Sequence, residues 1–268
     1  MPYFNYYKKS NLFHGSAMDI MGTRLDVVMI GNEYLLSEVW EKLLAETDRL
    51  HRMLNRFDPA SELSRVNNKA FTYPVKLNAE LWQILSDIKK YHQNTFGFFD
   101  ITLRDFNQVI LDEANKTVAF TEKDISLDLG GYAKGFALEQ IRKIFFSAGV
   151  TQALVNFGNS SVLAIGSHPL GKYWGVGVEN PLQKGKQLKT YELSNQSLST
   201  SGNTMQHTKH IINPRSGIYT SERKLVSVIS SNAVDAEILS TAIMVADEAS
   251  ISSMKKKFNN IFIDVFVL

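Results

Sequence analysis

Apolar positions recur along this chain at two spacings, and the change from one to the other marks out its elements. Leu25 to Ile30 reads as a first strand, after which Leu36, Val39, Trp40, Leu43, Leu44, Thr47, Leu50 and Leu54 form one broad helical face. From Asn55 to Asn68 the pattern turns polar around Asp58-Pro59, which predicts turns, and a second helix is predicted from about Leu77 to Tyr91. A loop bearing Gly97 and Asp100 follows. Ile125, Leu127 and Leu129 alternate as in a strand, whereas Ala133, Ala137, Ile141 and Phe145 recur every four residues, so Gly130 and Gly131 fall at a strand-to-helix junction. Short strands are predicted at Gln152 to Phe157, Val162 to Gly166, Tyr173 to Glu179 and Lys189 to Leu193. A polar passage from Ser194 to Ser221 separates these from a strand at Leu225 to Ser230, a helix near Ala233 to Ala246, a short helix, and a strand at Ile261 to Leu268. Helices and strands alternate without regular βαβ spacing, which favours an α+β fold over a doubly wound sheet. With no internal repeat or low-complexity linker, residues 1–268 read as one domain.

Composition narrows the function classes. A chain of 268 residues with 44% hydrophobic residues can bury a large core. Its 29 basic and 27 acidic residues are spread evenly, and a net charge of +2 gives no electrostatic reason to expect a nucleic-acid partner. The run Lys255-Lys256-Lys257 reads as a solvated helix end. Without cysteine there are no disulfides, thiolate metal sites, cysteine nucleophile or lipoprotein-type anchor. The opening MPYFNYYKKSNLFHG lacks the apolar core of a signal peptide, and no run approaches a transmembrane segment in length. The face-value expectation is a cytoplasmic protein; a trimmed secretory chain, periplasmic in its native setting, would look the same.

Five polar clusters interrupt the apolar pattern: Met21-Gly22-Thr23, Asn55 to Asn67, Gly97 to Thr102, Thr200 to Gly217, and Glu237 to Thr241. To these the Gly130-Gly131 junction adds a candidate anion site. A helix start offers free N–H groups, glycines without side chains let a diphosphate approach the backbone, and Lys134 adds a point charge. The local sequence is neither GxxxxGK[ST] nor GxGxxG, and taken alone such a turn also serves as a plain chain reversal. Glu237 and Thr241, four apart on a predicted helix, share a face and suit a hard cation such as magnesium; a surface glutamate beside an internally bonded threonine gives the same spacing. Asp235 points elsewhere on that helix. His210, in HIINPRSG, follows Thr200-Ser201-Gly202 and suits proton transfer or phosphate contact near neutral pH. There is no GxSxG elbow, and His207 with His210 lacks the further ligands zinc requires.

Taken in order, MGT, SELSRVN, FFDIT, LDLGGYAKG, VNFGNSS, STSGN, HIINPRSG and EILSTA resemble the ApbE-type flavin transferases from about Met21 to Ala246. The combination of DLGG-x-AKG, TSG and HII-x-P-x-(S/T)-G is specific. The resemblance implies a T-fold of mixed or antiparallel sheets with helices packed around a flavin cleft, FAD as substrate, and a divalent metal, magnesium, at its diphosphate. The implied reaction transfers FMN from FAD to a serine or threonine of an acceptor protein and releases AMP. By the same resemblance the Ala133 carbonyl, Glu237 and Thr241 hold the metal. Met21, Thr23, Phe57, Ser61, Asp128, Gly131, Lys134, Thr200, Ser201 and Gly202 surround FAD, and His210 activates the acceptor or contacts the transition state. Met21 and Phe57 read equally well as core residues.

The chain departs from the family at several positions. Glu237 stands where aspartate is usual, so the longer side chain must retract by one methylene to hold the same ion. Asn156-Phe157-Gly158-Asn159-Ser160 replaces NxGGD, and Thr204 replaces a tyrosine that offers an aromatic surface. Asn213 replaces the aspartate of HIIDP, and the stretch from Thr102 to Ser126 is short, which opens one side of the cleft. Two further readings stay open beside the transferase: metal-dependent hydrolysis of FAD to FMN and AMP, and a flavin-binding relative without turnover.

Overall fold

The computed structural model describes residues 2–203 and 211–268. The chain begins with a meander of β1 (Tyr3–Tyr7), β2 (Leu12–Ile20) and β3 (Thr23–Ile30). Then come α1 (Glu33–Leu54), α2 (Glu62–Lys69), β4 (Val75–Lys76), α3 (Ala79–Asn94), β5 (Val109–Asp112), β6 (Thr117–Phe120) and α4 (Ala133–Ala148). Two hairpins follow, β7 (Ala153–Phe157) with β8 (Ser161–Ile165), and β9 (Trp174–Glu179) with β10 (Gln187–Leu193). The remainder comprises β11 (Ser197–Asn203), the short β12 (Ile212–Asn213) and β13 (Ile218–Tyr219), β14 (Lys224–Ser230), α5 (Ala233–Ile243), α6 (Glu248–Lys255) and β15 (Phe262–Val267).

Eight strands make the central sheet, in the order β1-β2-β3-β7-β8-β11-β14-β15, with every neighbouring pair antiparallel. A separate three-stranded sheet has the order β4-β6-β5. The α+β class read from the sequence is the observed one. Side chains alternate across a strand, so the central sheet separates two apolar cores. On one face Leu25, Val27 and Met29 of β3 meet Leu36, Val39, Trp40 and Leu43 of α1, with Ala137, Ile141 and Phe145 of α4 in the same cluster. The α1 helix fits closely because Gly15 of β2 leaves room for the Trp40 ring, which lies 3.0 Å from where a Cβ would stand. On the opposite face the β9–β10 hairpin lays Trp174, Val178, Tyr191 and Leu193 over Val162, Ala164, Leu198, Leu225 and Ile229. Each large apolar side chain so buried contributes about 1.5–3 kcal/mol.

Several predicted boundaries change. The polar stretch after α1 is not all turn, because Ser61 caps α2, whose Leu63 and Val66 are buried. Leu25 to Ile30 is the third strand, not the first. The polar passage after Ser194 contains β11, a central strand of the main sheet. Conversely, Ile125, Leu127 and Leu129 are buried without forming a ladder. Their strand partner is replaced by one side chain: Asn67 Oδ1 accepts from the Leu127 N–H at 2.8 Å, and its Nδ2 donates to the Leu127 carbonyl at 3.0 Å. Lys255 to Lys257 are exposed at the end of α6, as expected of a solvated helix end. Among the described residues no helix is long and apolar enough to cross a membrane.

Candidate active site

The Gly-Gly junction opens α4 in a way that differs from the other helices. Asn32, Ser61, Asn78, Asn232 and Asp247 each accept an N–H bond at the start of their own helix, whereas Tyr132, at the same position of α4, makes no side-chain cap. Tyr132 is instead buried, stacked on Phe136 at 5.7 Å, and burial pushes its phenol up. The start of α4 thus lacks a side-chain cap, the Leu129 carbonyl accepting from the Tyr132 and Ala133 N–H groups at 2.9 and 2.8 Å, and the positive end of its dipole with Lys134 beside it suits an anion. Upstream, Asp128 Oδ1 accepts from the Gly130 N–H at 2.9 Å and its Oδ2 lies 3.3 Å from Arg56 Nε. That contact is electrostatic, because the buried Arg56 Nε makes no hydrogen bond.

Close helix packing carries this turn to its partners. A Cβ on Gly135 would stand 2.7 Å from the Ala233 carbonyl oxygen and 2.9 Å from Glu237 Cβ, so α4 and α5 meet almost backbone to backbone. Lys134 is thereby set beside Glu237, and its Nζ forms an ion pair with Oε1. Glu237 is only 4% exposed. Its Oε2 accepts from Ser161 Oγ of β8 at 2.6 Å and from Ser199 Oγ of β11 at 2.9 Å. The network continues from Ser199 to Ser240 at 3.1 Å, from Ser240 to Ser201 at 2.8 Å, and from Ser201 to Thr241 Oγ1 at 3.3 Å. Thr241 also donates to the Glu237 carbonyl at 3.1 Å, and its hydroxyl lies 3.5 Å from where a Gly131 Cβ would be. Gly131, Lys134, Ser201 and Thr241, distant in sequence and half-buried, therefore gather with the buried Glu237 in one polar cluster.

The other candidates lie around this cluster or turn away from it. Met21 and Gly22 form a two-residue hairpin turn between β2 and β3, both with positive φ (49° and 73°). For methionine that conformation is strained by about 1 kcal/mol or more, a feature that collects at functional sites. Thr23, which follows, packs against Gly158 in the β7–β8 turn, where a Cβ would come within 2.7 Å of its Oγ1. The MGT and NFGNSS motifs thus touch, and the second leads through Ser161 to Glu237. Phe57 is 80% exposed, so its reading as a core residue fails; the Arg56 guanidinium lies over its ring at 4.6 Å. Met21 is half-buried against the core.

Ser61 is committed to local structure, accepting from the Ser64 N–H at 2.9 Å and donating to the Asn55 carbonyl at 2.6 Å. Thr200 bonds Ser227 Oγ at 2.9 Å on the sheet face away from Glu237, and its N–H donates to the Ser160 carbonyl. Gly202 makes room for Leu225, whose Cδ2 would collide with a Cβ there. His210, with His207 and Thr204, lies outside the described residues. Asp100 locks its loop, accepting from the Thr102 N–H and hydroxyl and from the Phe106 N–H. Sequence reading missed Ser161, Ser199, Ser240 and Arg56. The serines carry no signal until the strands bring them to Glu237, whereas the charge of Arg56 beside the aromatic Phe57 was visible.

The oxygens this cluster offers a cation include the Glu237 carboxylate and the Thr241 hydroxyl. Such a set suits a hard cation and not a soft one. Among the described residues no three His, Cys, Asp or Glu side chains gather as a metal cluster.

Residues 21–263 match the ApbE family. The chain is 26% identical over 257 residues to a FAD:protein FMN transferase of Chlamydia muridarum, an alignment that covers 81% of this chain and 79% of that one. Its fold is that of the ApbE protein from Thermotoga maritima, with a TM-score of 0.81 at 22% identity over 95% of this chain and 96% of that chain. The flavin transferase ApbE from Vibrio cholerae superposes with a TM-score of 0.80 at 20% identity, covering 96% and 93%.

Proposed function

The chain belongs to the ApbE family, and we propose that it transfers the FMN moiety of FAD to a serine or threonine hydroxyl of an acceptor protein, with magnesium and with release of AMP. One observation carries this reading: residues from the AKG, TSG and EILSTA motifs converge on a single buried acid beside a helix start that has no side-chain cap. In such a transfer the acceptor oxygen forms a bond to the FMN phosphorus as the bond to the AMP oxygen breaks, so positioning and charge neutralisation do most of the work.

The chain's own groups suit those tasks. The start of α4 and Lys134 offer positive potential to the diphosphate. Asp128 fixes the turn through Gly130, and Arg56 beside it adds a second cation near the same end of the cleft. Phe57, exposed beneath Arg56, offers an aromatic face to a ring system of FAD. Met21 and Thr23 present the hairpin tip next to the β7–β8 turn. Magnesium held by Glu237, Thr241 and the Ala133 carbonyl would neutralise charge developing on the diphosphate. His210 is assigned to the acceptor proton by the resemblance alone.

Incubating the protein with FAD, Mg²⁺ and candidate acceptor proteins should give an acceptor whose mass increases by one FMN on a serine or threonine, with AMP released in equal amount. AMP without an adduct would instead indicate hydrolysis. A second reading, a flavin binder without turnover, is favoured by one observation: Lys134 already occupies an oxygen of the proposed metal carboxylate. FAD binding with neither adduct nor AMP would establish it in place of the transferase.

A further inference from the structure

The two oxygens of Glu237 are held in different ways. Oε2 is fixed by hydroxyls of Ser161 and Ser199, both buried and both on strands of the central sheet. Among the described residues Oε1 is held by the Lys134 ammonium alone, whose side chain is 21% exposed and therefore has a path out. The additional methylene of glutamate lets the carboxylate reach back to β8 and β11 and still meet a cation on its other side. We propose that Lys134 is an exchangeable counter-ion: a divalent metal binds Glu237 by displacing the ammonium from Oε1, and the displaced Lys134 turns to the adjacent anion end of α4. The inference rests on the metal-dependent reading of the site above.

The physical argument is charge exclusion. A divalent cation and an ammonium at contact distance on one carboxylate oxygen repel each other in a buried site, so each weakens the hold of the other there. With no metal bound, the ammonium spares the protein an uncompensated buried carboxylate. With metal bound, the same ammonium is released one residue from Ala133 and three from Gly131, at the turn where an anion would sit. Metal and diphosphate are then coupled through a side chain that serves one at a time. The native pair also lowers metal affinity in the absence of FAD, since the ion must replace a cation already in place.

Two measurements on the full chain without FAD test this. Mn²⁺ binding followed by electron paramagnetic resonance should tighten by about tenfold or more in Lys134→Gln, which keeps an N–H donor for Oε1 but no charge, and should vanish when Glu237→Gln is added. Unchanged or weaker binding in Lys134→Gln, or no binding to any variant, overturns the proposal. Trace acetylation of the wild-type protein, read at Lys134 by mass spectrometry, should speed up about fivefold or more on saturation with Mg²⁺. An unchanged or slower rate overturns it, and this readout separates displacement from a general loss of positive charge nearby. The FMN-adduct assay on the same protein keeps the two readings apart. Adduct formation with no release of Lys134 leaves the transferase standing and removes the counter-ion role, whereas release without an adduct does the reverse.

Discussion

Two acids stand two residues apart on α5 and face opposite ways, and the protein treats them differently. Glu237 points to the central sheet and is met by a cation and two hydroxyls. Asp235 points to α3 and is met by one phenol, the Tyr91 hydroxyl donating to Oδ1 at 2.7 Å. Burial raises the affinity of Asp235 for its proton, with the nearby Glu139 charge adding to the effect and the Tyr91 bond opposing it. Burial, followed by the Asp235 charge, likewise pushes the Tyr91 phenol up. Glu237 is buried and Asp235 half-buried, so withdrawal from water alone does not mark a site. The distinguishing feature is the number and type of donors that surround the charge, and only Glu237 has a cation among them.

The largest effect should come from Glu237→Ala. It leaves the Lys134 charge and the Ser161 and Ser199 hydroxyls without their partner, which costs about 3–5 kcal/mol of stability. The urea midpoint should fall accordingly and FMN transfer should be lost; a loss of under about 1 kcal/mol would show that the network does not hold α5 to the sheet. Gly135→Ala comes next, because its methyl meets the Ala233 carbonyl and forces α4 away from α5. The expected cost is about 1–3 kcal/mol, accompanied by a weaker response of Lys134 acetylation to Glu237→Gln, since the two side chains are already apart. On the other face Tyr91→Phe keeps the ring stacked on Phe258 and removes only the donor to Asp235. It should cost about 1–2 kcal/mol at neutral pH and less in acid, where the carboxyl is protonated. Equal costs at both pH values would mean that the phenol supports packing and not the charge.

The same contrast explains how much of the protein was legible in its sequence. Apolar periodicity located α1, α3, α4, β3 and β14 because each turns mostly apolar side chains to a core, Thr47 of α1 and Ser227 of β14 being buried exceptions, whereas β15 was legible as an apolar run although none of its residues is buried. It failed at β11, SLSTSGN, because one face of that strand meets the Glu237 network and places Ser199 and Ser201 where a core strand would carry Val or Ile. The site thus erased the pattern that would have revealed its own scaffold. The α2 helix was missed for a related reason: two buried apolar residues on eight positions give little periodicity, although Ser61 ahead of Glu62 was a readable cap. The strand predicted at Ile125 to Leu129 failed in the opposite sense, since Asn67 satisfies Leu127 across a distance no local pattern encodes. Of the site itself, the AKG lysine and the Glu237/Thr241 spacing were legible from residue types and helix geometry. The serine donors to Glu237 were not, because serines on separate strands acquire meaning only once the sheet places them together.

The smallest expected effect is also the one that tests the contrast most directly. Asp235→Asn keeps an Oδ1 acceptor for the Tyr91 hydroxyl and deletes the charge. Because the folded-state pKa of Asp235 lies above its unfolded value, ionisation favours the unfolded chain. The wild-type protein therefore pays no charge penalty in acid, begins to lose stability as pH rises through the ordinary aspartate range, and bears the full loss above the raised folded value. Asparagine removes that loss. Against it stands the position of Asp235 in the first turn of α5, where a negative charge gains about 0.3–1 kcal/mol from the helix dipole. The net gain for Asp235→Asn should be below about 1 kcal/mol, near zero at about pH 4 and greatest near pH 8. Thermal melts across that interval measure it as a difference in Tm between variant and wild type that grows with pH. A variant that falls progressively below wild type in stability as pH rises would show that the dipole and the Tyr91 bond outweigh burial at Asp235. In that case both acids of α5 would be well solvated by the protein, and the cation on Glu237 alone would separate the functional face from the structural one.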